Sequence, residues 1–441
     1  MEISKYLNDE YSSAALYMNY RNTSGIDGLK NAARKIVYTI KKKNIKEAMK
    51  VSALGSEIVK EAEYLHGDSG IQGTIVTAAK SYCGSNNLPI LEGIGGFGTR
   101  FTPDSAAPRY IFAKPADYFN DLFKPEDDVN FKLQMFEGKP IEPIYYAPTL
   151  PLLLVNGSDG VGVGFSSDIF PRSVENVFKM CRAKLAGKKL KTEWFTPHWN
   201  GFQGDLEEVE GSWIVKGKME LTGKKALITE VPISWTLAKY TKHLRGLKEK
   251  GWITGFNDYS EDDNFKFEVE LTALEAAKHP DQIFKDLGLI KSMTEIFSLI
   301  DEHNAATDEI TSARELFEYY FKIKIATLKA RHKSEIARLT DEEKALNETY
   351  RFIKMVIADE INVKLKKAVV EKDLKSKGFT IIDKLLAMPI YSLTEDKAAE
   401  IKEKWQNKIE ELEAMKKETP ESLWSKDLDA LEAKLKKLGM M

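Results

Sequence analysis

The sequence contains little cysteine, no long hydrophobic run and no excess of charge of either sign. Its two cysteines, Cys83 and Cys181, are too few for the disulfide framework of a small secreted protein, which predicts a reducing compartment. The longest apolar run, residues 150–155, is far shorter than the roughly 20 residues that cross a bilayer. The amino terminus lacks the pattern of a signal peptide. We therefore expect a soluble protein with no membrane partner.

The formal net charge is −2, with 65 Lys and Arg against 67 Asp and Glu. Any binding to nucleic acid must therefore rest on local clusters of basic residues. The six histidines are scattered and do not pair with the cysteines at metal-ligand spacings, so we expect no metal site within this chain. A length of 441 residues is enough for two or three domains with substantial cores.

Glycine and proline are absent from residues 289–377, which permits very long helices. In this region, and again after it, apolar residues recur mostly at spacings of three, four or seven, the pattern of helices that pack along one seam. The outgoing seam is Phe321, Ile325, Leu328, Leu339, Leu346, Tyr350, Ile353 and Ile357, and the returning seam is Ile401, Trp405, Ile409, Leu412 and Met415. The pattern predicts a long antiparallel helical pair.

The rest of the sequence predicts mixed α and β structure. Two stretches predict helices, 56–62 and 70–81, and two alternating stretches predict strands, 212–221 and 265–271. Asp68 or Ser69 is a candidate cap for the second helix. Residues 253–264 are placed as a loop. The acidic cluster at 261–263 predicts a solvated loop, because it lacks the glycine and closing glutamate of a calcium loop.

The stretch 64–114 combines the residues that are best suited to chemistry. It contains His66-Gly67-Asp68, then a loop with glycines at 93, 95, 96 and 98, and then the pair Arg109-Tyr110. The loop satisfies GxGxxG, but a dinucleotide-binding loop opens a helix, and this loop runs into a proline-containing segment without helical periodicity. We therefore reject a nucleotide-dependent dehydrogenase. His66 alone could cap a helix and Tyr110 alone could be a packing residue, so the evidence lies in the ordered set.

A tyrosine beside an arginine suits the reversible cleavage of a phosphodiester. A tyrosyl oxygen that attacks phosphorus forms an aryl ester, whose leaving group is good enough for a sugar hydroxyl to displace it again. A free phenol has a pKa of about 10 and is protonated at neutral pH, so it needs neighbouring cations and proton acceptors. The planar guanidinium of Arg109 can bind the non-bridging phosphate oxygens and stabilise the transition state.

The ordered motifs resemble the breakage-reunion region of type IIA DNA topoisomerases. In that family the motifs read HGD, GxGNFG and AAxRYT or AAxRYI, and here they stand at 66–68, 93–98 and 106–111. Three further segments are similar to the family's DGLKPxxRRxxY, LLVNGxxGIAVG and LLxMPIxSLT signatures, namely 26–38, 154–165 and 385–394. The resemblance covers most of the chain.

The resemblance implies an α+β fold with a winged-helix DNA-binding domain, a mixed α/β tower domain and a long antiparallel coiled coil with a small helical dimer gate. The implied parts are an N-terminal helical arm at 1–24, the winged-helix domain with the catalytic tyrosine at 25–128, the tower domain at 129–310, the outgoing coiled-coil helix at 311–365, the dimer gate at 366–394, and the returning helix and tail at 395–441.

The resemblance also implies the site residues. Tyr110 is the expected nucleophile, and Arg109, His66 and Arg34 are expected around the scissile phosphate. An apolar residue of the family's glycine-rich hairpin wedges between base steps and bends DNA, and Val161 holds that position here. The residues expected to bind DNA are Lys30, Lys35, Lys41, Lys42, Lys43, Ser69 and Val161.

The implied function is that of the DNA-cleaving and rejoining subunit of an ATP-dependent enzyme, which forms a transient 5′-phosphotyrosyl double-strand break and passes a second duplex through it. The sequence contains neither the family's ATP-binding domain nor its EGDSA and DxD metal-binding module. We therefore expect large partner subunits to bind Mg²⁺ and ATP, and this chain to form a homodimer through 366–394. The order of elements resembles the medium subunit of T-even-type phage enzymes, which predicts the host cell cytoplasm and relaxation without active supercoiling. The alternative is a structural coiled-coil DNA-binding subunit with a degenerate site.

Overall fold

Residues 3–441 are described by the computed structural model, and they divide into two units. The first unit comprises the chain through Pro125, Phe131–Lys324 and Ser425–Met441, and the second comprises Glu126–Asn130 and Ile325–Trp424. No helix within residues 3–441 is both long and apolar enough to cross a bilayer.

The first unit begins with a helical region and a three-stranded antiparallel sheet of order β1–β3–β2. Ile36, Val37 and Ile40 on α3 are buried, as are apolar residues of α4 and α5, so these helices form a core by facing one another with their apolar sides. The helices are α1 (Ile3–Lys5), a π-helical turn (Tyr6–Tyr11), α2 (Ser12–Asn22), α3 (Asn31–Lys43), α4 (Val51–Glu61) and α5 (Asp68–Ala79), and the strands are β1 (Met49–Lys50), β2 (Leu91–Ile94) and β3 (Phe112–Pro115).

The predicted helix at 70–81 exists but begins earlier than expected. Gly67 precedes its first residue, and no side chain caps it, so the predicted cap at Asp68 or Ser69 is wrong. Asp68 lies instead in the first helical turn, where a carboxylate interacts favourably with the helix dipole.

The middle of the first unit contains two short antiparallel hairpins, β4–β5 and β6–β7. The second of these confirms the glycine-rich hairpin, because Val161 pairs with Ser166 next to its turn. The elements are α6 (Phe119–Leu122), a 3₁₀ helix (Pro125–Asn130), β4 (Leu133–Phe136), β5 (Lys139–Pro143), α7 (Leu152–Asn156), β6 (Ser158–Val161), β7 (Ser166–Ile169), α8 (Val174–Leu185) and a 3₁₀ helix (Thr192–Phe195).

Two further sheets follow, of order β14–β9–β8 and β10–β11–β13–β12. The second sheet packs against α9 and α11 around a buried apolar cluster that includes Tyr240 and Phe267. The elements are β8 (Asp205–Val209), β9 (Ser212–Lys216), β10 (Lys218–Thr222), β11 (Lys225–Glu230), α9 (Leu237–Glu249), β12 (Ile253–Asp258), β13 (Phe267–Leu271), α10 (Ala273–Ala276), α11 (Pro280–Asp286), β14 (Ile290–Met293), β15 (Leu299–Ile300) and β16 (Ala306–Thr307).

Two sequence predictions in this region are wrong. The stretch 212–221 is not one strand: it divides at Gly217 into β9 and β10, which belong to different sheets. Only glycine fits there, because an added Cβ would lie 2.3 Å from the carbonyl oxygen of Glu230. Residues 253–258 form β12, which pairs with β13, and Asp263 accepts hydrogen bonds from the backbone N–H groups of Arg100 and Phe101. Glu261 and Asp262 are exposed, as predicted for a solvated loop, whereas Asp263 makes a structural contact.

The second unit is built on α12 (Ala313–Ile357), from Ile325 onward, and α15 (Glu395–Lys417). His332 bonds to the carbonyl of Met415, Trp405 donates to Glu343, and Lys354 pairs with Glu395. Because positions later in α12 meet positions earlier in α15, the two helices are antiparallel, as predicted. The remaining helices of the chain are α13 (Lys367–Ser376), α14 (Ile382–Leu386), a 3₁₀ helix (Ile390–Ser392) and α16 (Pro420–Lys437).

Candidate active site

Tyr110 lies in an exposed turn directly before β3, and its side chain is 66% exposed. The turn is anchored by its backbone: the N–H of Ser52 bonds to Pro108 and that of Val51 to Ile111, at 3.2 and 3.0 Å. The backbone N–H of Tyr110 donates to the carbonyl oxygen of Ala107 at 2.9 Å. A fixed backbone thus presents a phenol to solvent, where a large substrate can reach the hydroxyl.

Arg109 lies against this phenol. Its guanidinium carbon is 4.7 Å from the centre of the Tyr110 ring, within the distance of a cation–π contact. Arg109 is exposed and makes no ion pair with any residue in the range 3–441. Its five N–H donors are therefore open to an anion that approaches Tyr110.

The glycine loop runs beside the same strand. Gly93 in β2 pairs with Ala113 in β3, and the backbone then turns through Gly98 at φ 91°. A Cβ at residue 98 would lie 2.5 Å from the carbonyl oxygen of Pro103, so both conformation and space require glycine there. The loop is a tight backbone turn and does not open a helix, which agrees with the rejection of a dinucleotide site.

His66 sits just before α5 and is held by two tyrosines. Its Nε2 is 2.9 Å from the hydroxyl of Tyr17 on α2, and the ring of Tyr64 meets it edge-on with centres 5.3 Å apart. Partial burial, together with the positive charges of Arg21 and Lys35, lowers the pKa of His66 below its ordinary value. The lower pKa favours the neutral imidazole. In the tautomer that carries its proton on Nδ1, the ring accepts the Tyr17 hydroxyl hydrogen at Nε2.

Val161 lies at the end of β6, and its side chain is 76% exposed. Two asparagines of α2 hold this end of the hairpin. Asn22 donates to the carbonyl of Val161 at 3.1 Å, and Asn19 accepts from the N–H of Val163 at 2.7 Å. An apolar side chain is thus presented to solvent on a fixed backbone, as a wedge requires.

Arg34 differs from its predicted role as an open phosphate contact. It is buried at 2% exposure and forms a two-point ion pair with Asp27, with Nε to Oδ2 at 2.8 Å and Nη2 to Oδ1 at 3.1 Å. Burial opposes its charge, but the charge and hydrogen bonds of Asp27 raise the pKa of Arg34 above its already high value. Its Nη1 is buried and makes no hydrogen bond within residues 3–441. The structure therefore gives Arg34 a structural contact, and its action on phosphate stays a prediction.

Comparison with known proteins decides the family. Residues 23–429 match the DNA gyrase/topoisomerase IV A-subunit family. The chain belongs to this family. The match covers the hairpin, the glycine loop and the Arg109-Tyr110 turn, as well as both long helices.

Relatives in the topoisomerase family support the same assignment. The mitochondrial DNA topoisomerase 2 of Dictyostelium discoideum is 28% identical over 98% of this chain and 35% of its own length. The DNA topoisomerase 2 of Saccharomyces cerevisiae is 31% identical over 90% of this chain and 28% of its own length. The chain thus spans about a third of the length of these curated relatives.

A solved structure from this group confirms the mixed α+β fold. The DNA-binding, cleavage and re-ligation domain of Plasmodium falciparum topoisomerase II superposes with a TM-score of 0.89 at 27% identity. The similarity covers 98% of this chain and 64% of that one. The winged-helix, tower and dimer-gate boundaries stay predictions.

The structure divides the lysines expected to bind DNA into two groups. Lys35 is buried and pairs with Glu142 at 2.7 Å, and Lys41 donates to the carbonyl of Phe123 at 2.9 Å. Lys42 and Lys43 both pair with Glu61, at 3.2 and 3.1 Å. These four lysines have partners within the protein. Each would have to give up its protein partner to bind a DNA phosphate, so their DNA contacts stay predictions.

The remaining residues of that set are open to solvent. Ser69 is exposed in the first turn of α5, where N–H groups point outward and favour an anion. Lys30 is half-exposed at the edge of a cleft of about 500 Å³, which is also lined by residues of α5 and of the β6–β7 hairpin. In this topoisomerase-family chain, Lys30, Ser69 and Val161 make no ion pair within residues 3–441, unlike Lys35, Lys42 and Lys43. Their contact with DNA stays a prediction.

Tyr118 is the alternative nucleophile nearest in sequence, and its position argues against that role. Its side chain is 3% exposed, and its hydroxyl donates to the carbonyl of Pro89. Burial raises the pKa of Tyr118 above its ordinary value. A buried, hydrogen-bonded and strongly protonated phenol cannot reach a DNA phosphate.

The residues around Tyr110 do not fit a Mg²⁺ ion. Its neighbour Arg109 carries a positive charge, whereas Mg²⁺ takes carboxylate and water oxygens. Within residues 3–441, no three His, Cys, Asp or Glu side chains lie close enough to share a metal. We therefore derive no step of the reaction through a metal held by this chain.

Sequence reasoning missed the contribution of α2 to the site. Tyr17 holds His66, and Asn19 and Asn22 hold the hairpin. No motif marks these residues, since each acts through a partner more than 45 positions away. Helical periodicity predicted an N-terminal helical arm, but it did not predict which residues that arm contacts.

Tyr17→Phe is expected to change the protonation of His66. Loss of the hydroxyl removes the donor to Nε2, so the proton of the neutral ring should move from Nδ1 to Nε2. The pKa of His66 should stay below its ordinary value, because partial burial and the charges of Arg21 and Lys35 remain. NMR of ¹⁵N-histidine-labelled protein across a pH titration measures both effects, and His66→Gln identifies the resonance. Tyr11→Phe, an exposed tyrosine of the same arm, is the control. An unchanged tautomer in Tyr17→Phe would contradict the assignment.

Proposed function

We propose that this chain is the DNA-cleaving and rejoining part of a type IIA DNA topoisomerase. The observation that carries the proposal is the exposed Tyr110 on a backbone-anchored turn, with the Arg109 guanidinium against its ring. Family membership over residues 23–429 supports the same chemistry.

The reaction follows from these two side chains. The Tyr110 oxygen attacks a DNA phosphorus and forms a new P–O bond, while the bond from phosphorus to the 3′ oxygen of the neighbouring sugar breaks. The phenolic proton passes to solvent, and the departing 3′ oxygen takes up a proton. The product is a 5′-phosphotyrosyl ester beside a free 3′-hydroxyl, and reversal of the same steps reseals the strand.

Arg109 stabilises the charge that develops during this step. Its planar fork binds two non-bridging oxygens of the phosphate, and their negative charge increases in the pentacoordinate transition state. Neutral His66, held by Tyr17, orients the phosphate through its Nδ1–H. Two such cuts, one in each protomer of a dimer, open a duplex for the passage of a second duplex and relax supercoils.

The proposal includes partners. We infer that large subunits hold the Mg²⁺ and bind the ATP, that this chain dimerises through 366–394, and that it acts on DNA in a host cell cytoplasm as a medium subunit of the T-even phage type.

The dimer proposal is supported by apolar side chains that are exposed in this region, Val369 and Tyr391 among them. Light scattering should give a dimer for the parent, and Val369→Glu with Tyr391→Glu should shift it toward monomer.

Trapping of the covalent intermediate tests the proposal. The chain is mixed with candidate ATPase and metal-binding subunits, Mg²⁺, ATP and supercoiled plasmid, and is then denatured with detergent. Peptide mass spectrometry should find a nucleotide 5′-phosphate on Tyr110, and the same mixture should relax the plasmid. DNA binding without any adduct would overturn the proposal and favour a structural DNA-binding protein.

Val161→Gly is expected to reduce DNA bending and cleavage together. Full burial of a valine side chain contributes about 1.5–3 kcal/mol, so loss of the wedge should lower the bent population roughly ten- to hundred-fold, while Val161→Ile is tolerated. Fluorescence transfer between the ends of a short duplex measures bending in the presence of the partner subunits. Val209→Gly, an exposed valine at the end of β8, is the matched control. Parent-like bending by Val161→Gly would mean that the hairpin is only structural.

A further inference from the structure

The β6–β7 hairpin carries two aspartates that the proposed reaction does not use. Asp159 on β6 and Asp168 on β7 are directly opposite each other in the strand pairing. Side chains in this position have Cβ atoms about 5 Å apart, and like charges there destabilise the pair of strands. The other opposed residues of the hairpin are uncharged. The stability of the hairpin therefore does not explain the two aspartates.

Asp159 lies on the same face of the hairpin as Val161. Side chains of a strand alternate between its two faces, so residues 159 and 161 point to one side and residue 160 to the other. Asp159 and Val161 are exposed, whereas Gly160 is buried, and a Cβ there would lie 2.5 Å from the carbonyl oxygen of Asn22. Positions 159 and 161 are about 7 Å apart along the strand. The hairpin thus presents an apolar and an acidic side chain together.

The two aspartates differ in their surroundings. Asp168 is half-buried, and burial together with the charges of Asp159 and Glu295 raises the pKa of Asp168 above its ordinary value. The charge of Lys291 opposes that shift. The Asp159 carboxylate is exposed and makes no hydrogen bond or ion pair within residues 3–441. Because like charges repel, Asp168 favours orientations of this carboxylate that point away from the opposite strand.

The minor groove of DNA offers such a carboxylate very different partners at different base pairs. Apolar wedges that enter between base steps commonly do so from this groove. There an A·T pair presents only acceptors, adenine N3 and thymine O2, whereas a G·C pair adds one donor, the amino group at guanine N2. An ionised carboxylate can only accept hydrogen bonds. It therefore finds a donor at G·C pairs and none at A·T pairs.

The position of Asp159 makes this difference count. The roughly 7 Å that separate it from Val161 equal about two base steps of 3.4 Å, so a duplex that takes up the Val161 side chain also covers the Asp159 carboxylate. A carboxylate that loses its water without gaining a donor is strongly unfavourable. Runs of A·T pairs add to this cost, because their minor groove is narrow and has a more negative potential.

We propose that Asp159 is a specificity-determining residue, which directs the Val161 wedge to G·C-containing steps of duplex DNA by accepting a hydrogen bond from guanine N2. The proposal rests on the proposed function, because it takes the insertion of Val161 into DNA as given. It adds base readout to a site whose Arg109 contacts to phosphate carry no sequence information.

Base analogues test the hydrogen bond. Inosine in place of guanine removes only the minor-groove amino group, and 2,6-diaminopurine in place of adenine adds one. Four short duplexes are compared, two G·C-rich ones with guanine or inosine and two A·T-rich ones with diaminopurine or adenine, in the presence of the partner subunits and Mg²⁺. Fluorescence transfer between the duplex ends measures bending. Within each pair, the parent protein should bend the duplex that carries the amino group roughly tenfold more readily, the effect of one hydrogen bond to a charged group.

Asp159→Asn should reduce both ratios toward one, because an amide can also donate to adenine N3 or thymine O2. Its ratios also correct for differences in stiffness among the duplexes. Asp205→Asn is the matched control, since Asp205 is an exposed strand aspartate outside the cleft that Asp159 lines. The Asp159→Asn protein should be at least as stable as the parent to urea, because it loses a like charge opposite Asp168.

The possible outcomes separate the two claims. A parent that bends all four duplexes equally, or an Asp159→Asn protein that keeps the ratios of the parent, would overturn the role of Asp159 and leave the Val161 wedge intact. A parent that bends none of the duplexes would refute the wedge itself. Ratios near ten in the parent and in Asp205→Asn, and near one in Asp159→Asn, would support both claims.

Discussion

Tyr110→Phe is expected to abolish the covalent DNA adduct and plasmid relaxation while duplex affinity changes little. The substitution removes one oxygen, the atom proposed to bond to phosphorus, and leaves the ring against which Arg109 packs. Since the side chain is exposed and its hydroxyl makes no hydrogen bond within residues 3–441, its loss should not alter folding. Detergent trapping with end-labelled DNA measures the adduct, and anisotropy measures binding.

Tyr118→Phe is the matched control for this result. It removes a hydroxyl from a neighbouring tyrosine that is buried and bonded to Pro89, so stability should fall by about 1 kcal/mol and the adduct should persist. Arg109→Lys should lower cleavage by about 10²–10³-fold, the usual effect of losing one preorganised donor on a transition-state oxyanion. An adduct on the Tyr110→Phe protein would show that the nucleophile lies elsewhere.

Asp27→Ala is expected to destabilise the protein by about 3–5 kcal/mol, the cost of leaving a buried charge without its partner. Asp27 is fully buried, and besides Arg34 it accepts hydrogen bonds from the N–H groups of Leu29 and Tyr146. Four hydrogen bonds therefore depend on one carboxylate. Urea-induced unfolding, followed by circular dichroism, measures the change.

Glu63→Ala provides the comparison, because it breaks an ion pair with Lys139 whose lysine side chain is 71% exposed. Such surface pairs contribute about 0–1 kcal/mol. Equal unfolding free energies for Asp27→Ala and Glu63→Ala would mean that the buried pair contributes no more than a surface pair.

Local pattern was sufficient to predict the elements that the site is built on. The long helices α12 and α15, the glycine hairpin around Val161 and the helix after His66 each follow from periodicity or turn residues within the segment itself. These features depend on short-range geometry, which the sequence contains directly. The roles of Tyr110 and Arg109 come from the resemblance of the ordered motifs to the family, and they stay predictions.

Long-range contacts set the limits of that reasoning. Lys41 was predicted to bind DNA, but its ammonium group donates to the carbonyl oxygens of Phe123 and Lys124. The division of 212–221 at Gly217 depends on the backbone of Glu230, which no periodicity in the segment could reveal. Partners brought together by folding decide whether a charge is free, and a single sequence does not record them.

Gly162 imposes a constraint on how this hairpin can evolve. A Cβ at that position would lie 2.0 Å from the Oδ1 atom of Asn19, the same atom that accepts from Val163. A larger residue at 162 therefore requires Asn19 either to move or to be replaced by a smaller residue, and either change removes the hydrogen bond from Val163 that holds the hairpin. Positions 19 and 162 should therefore vary together across relatives. A relative with asparagine at 19 and a residue larger than glycine at 162 would need another contact to hold the hairpin that carries Val161.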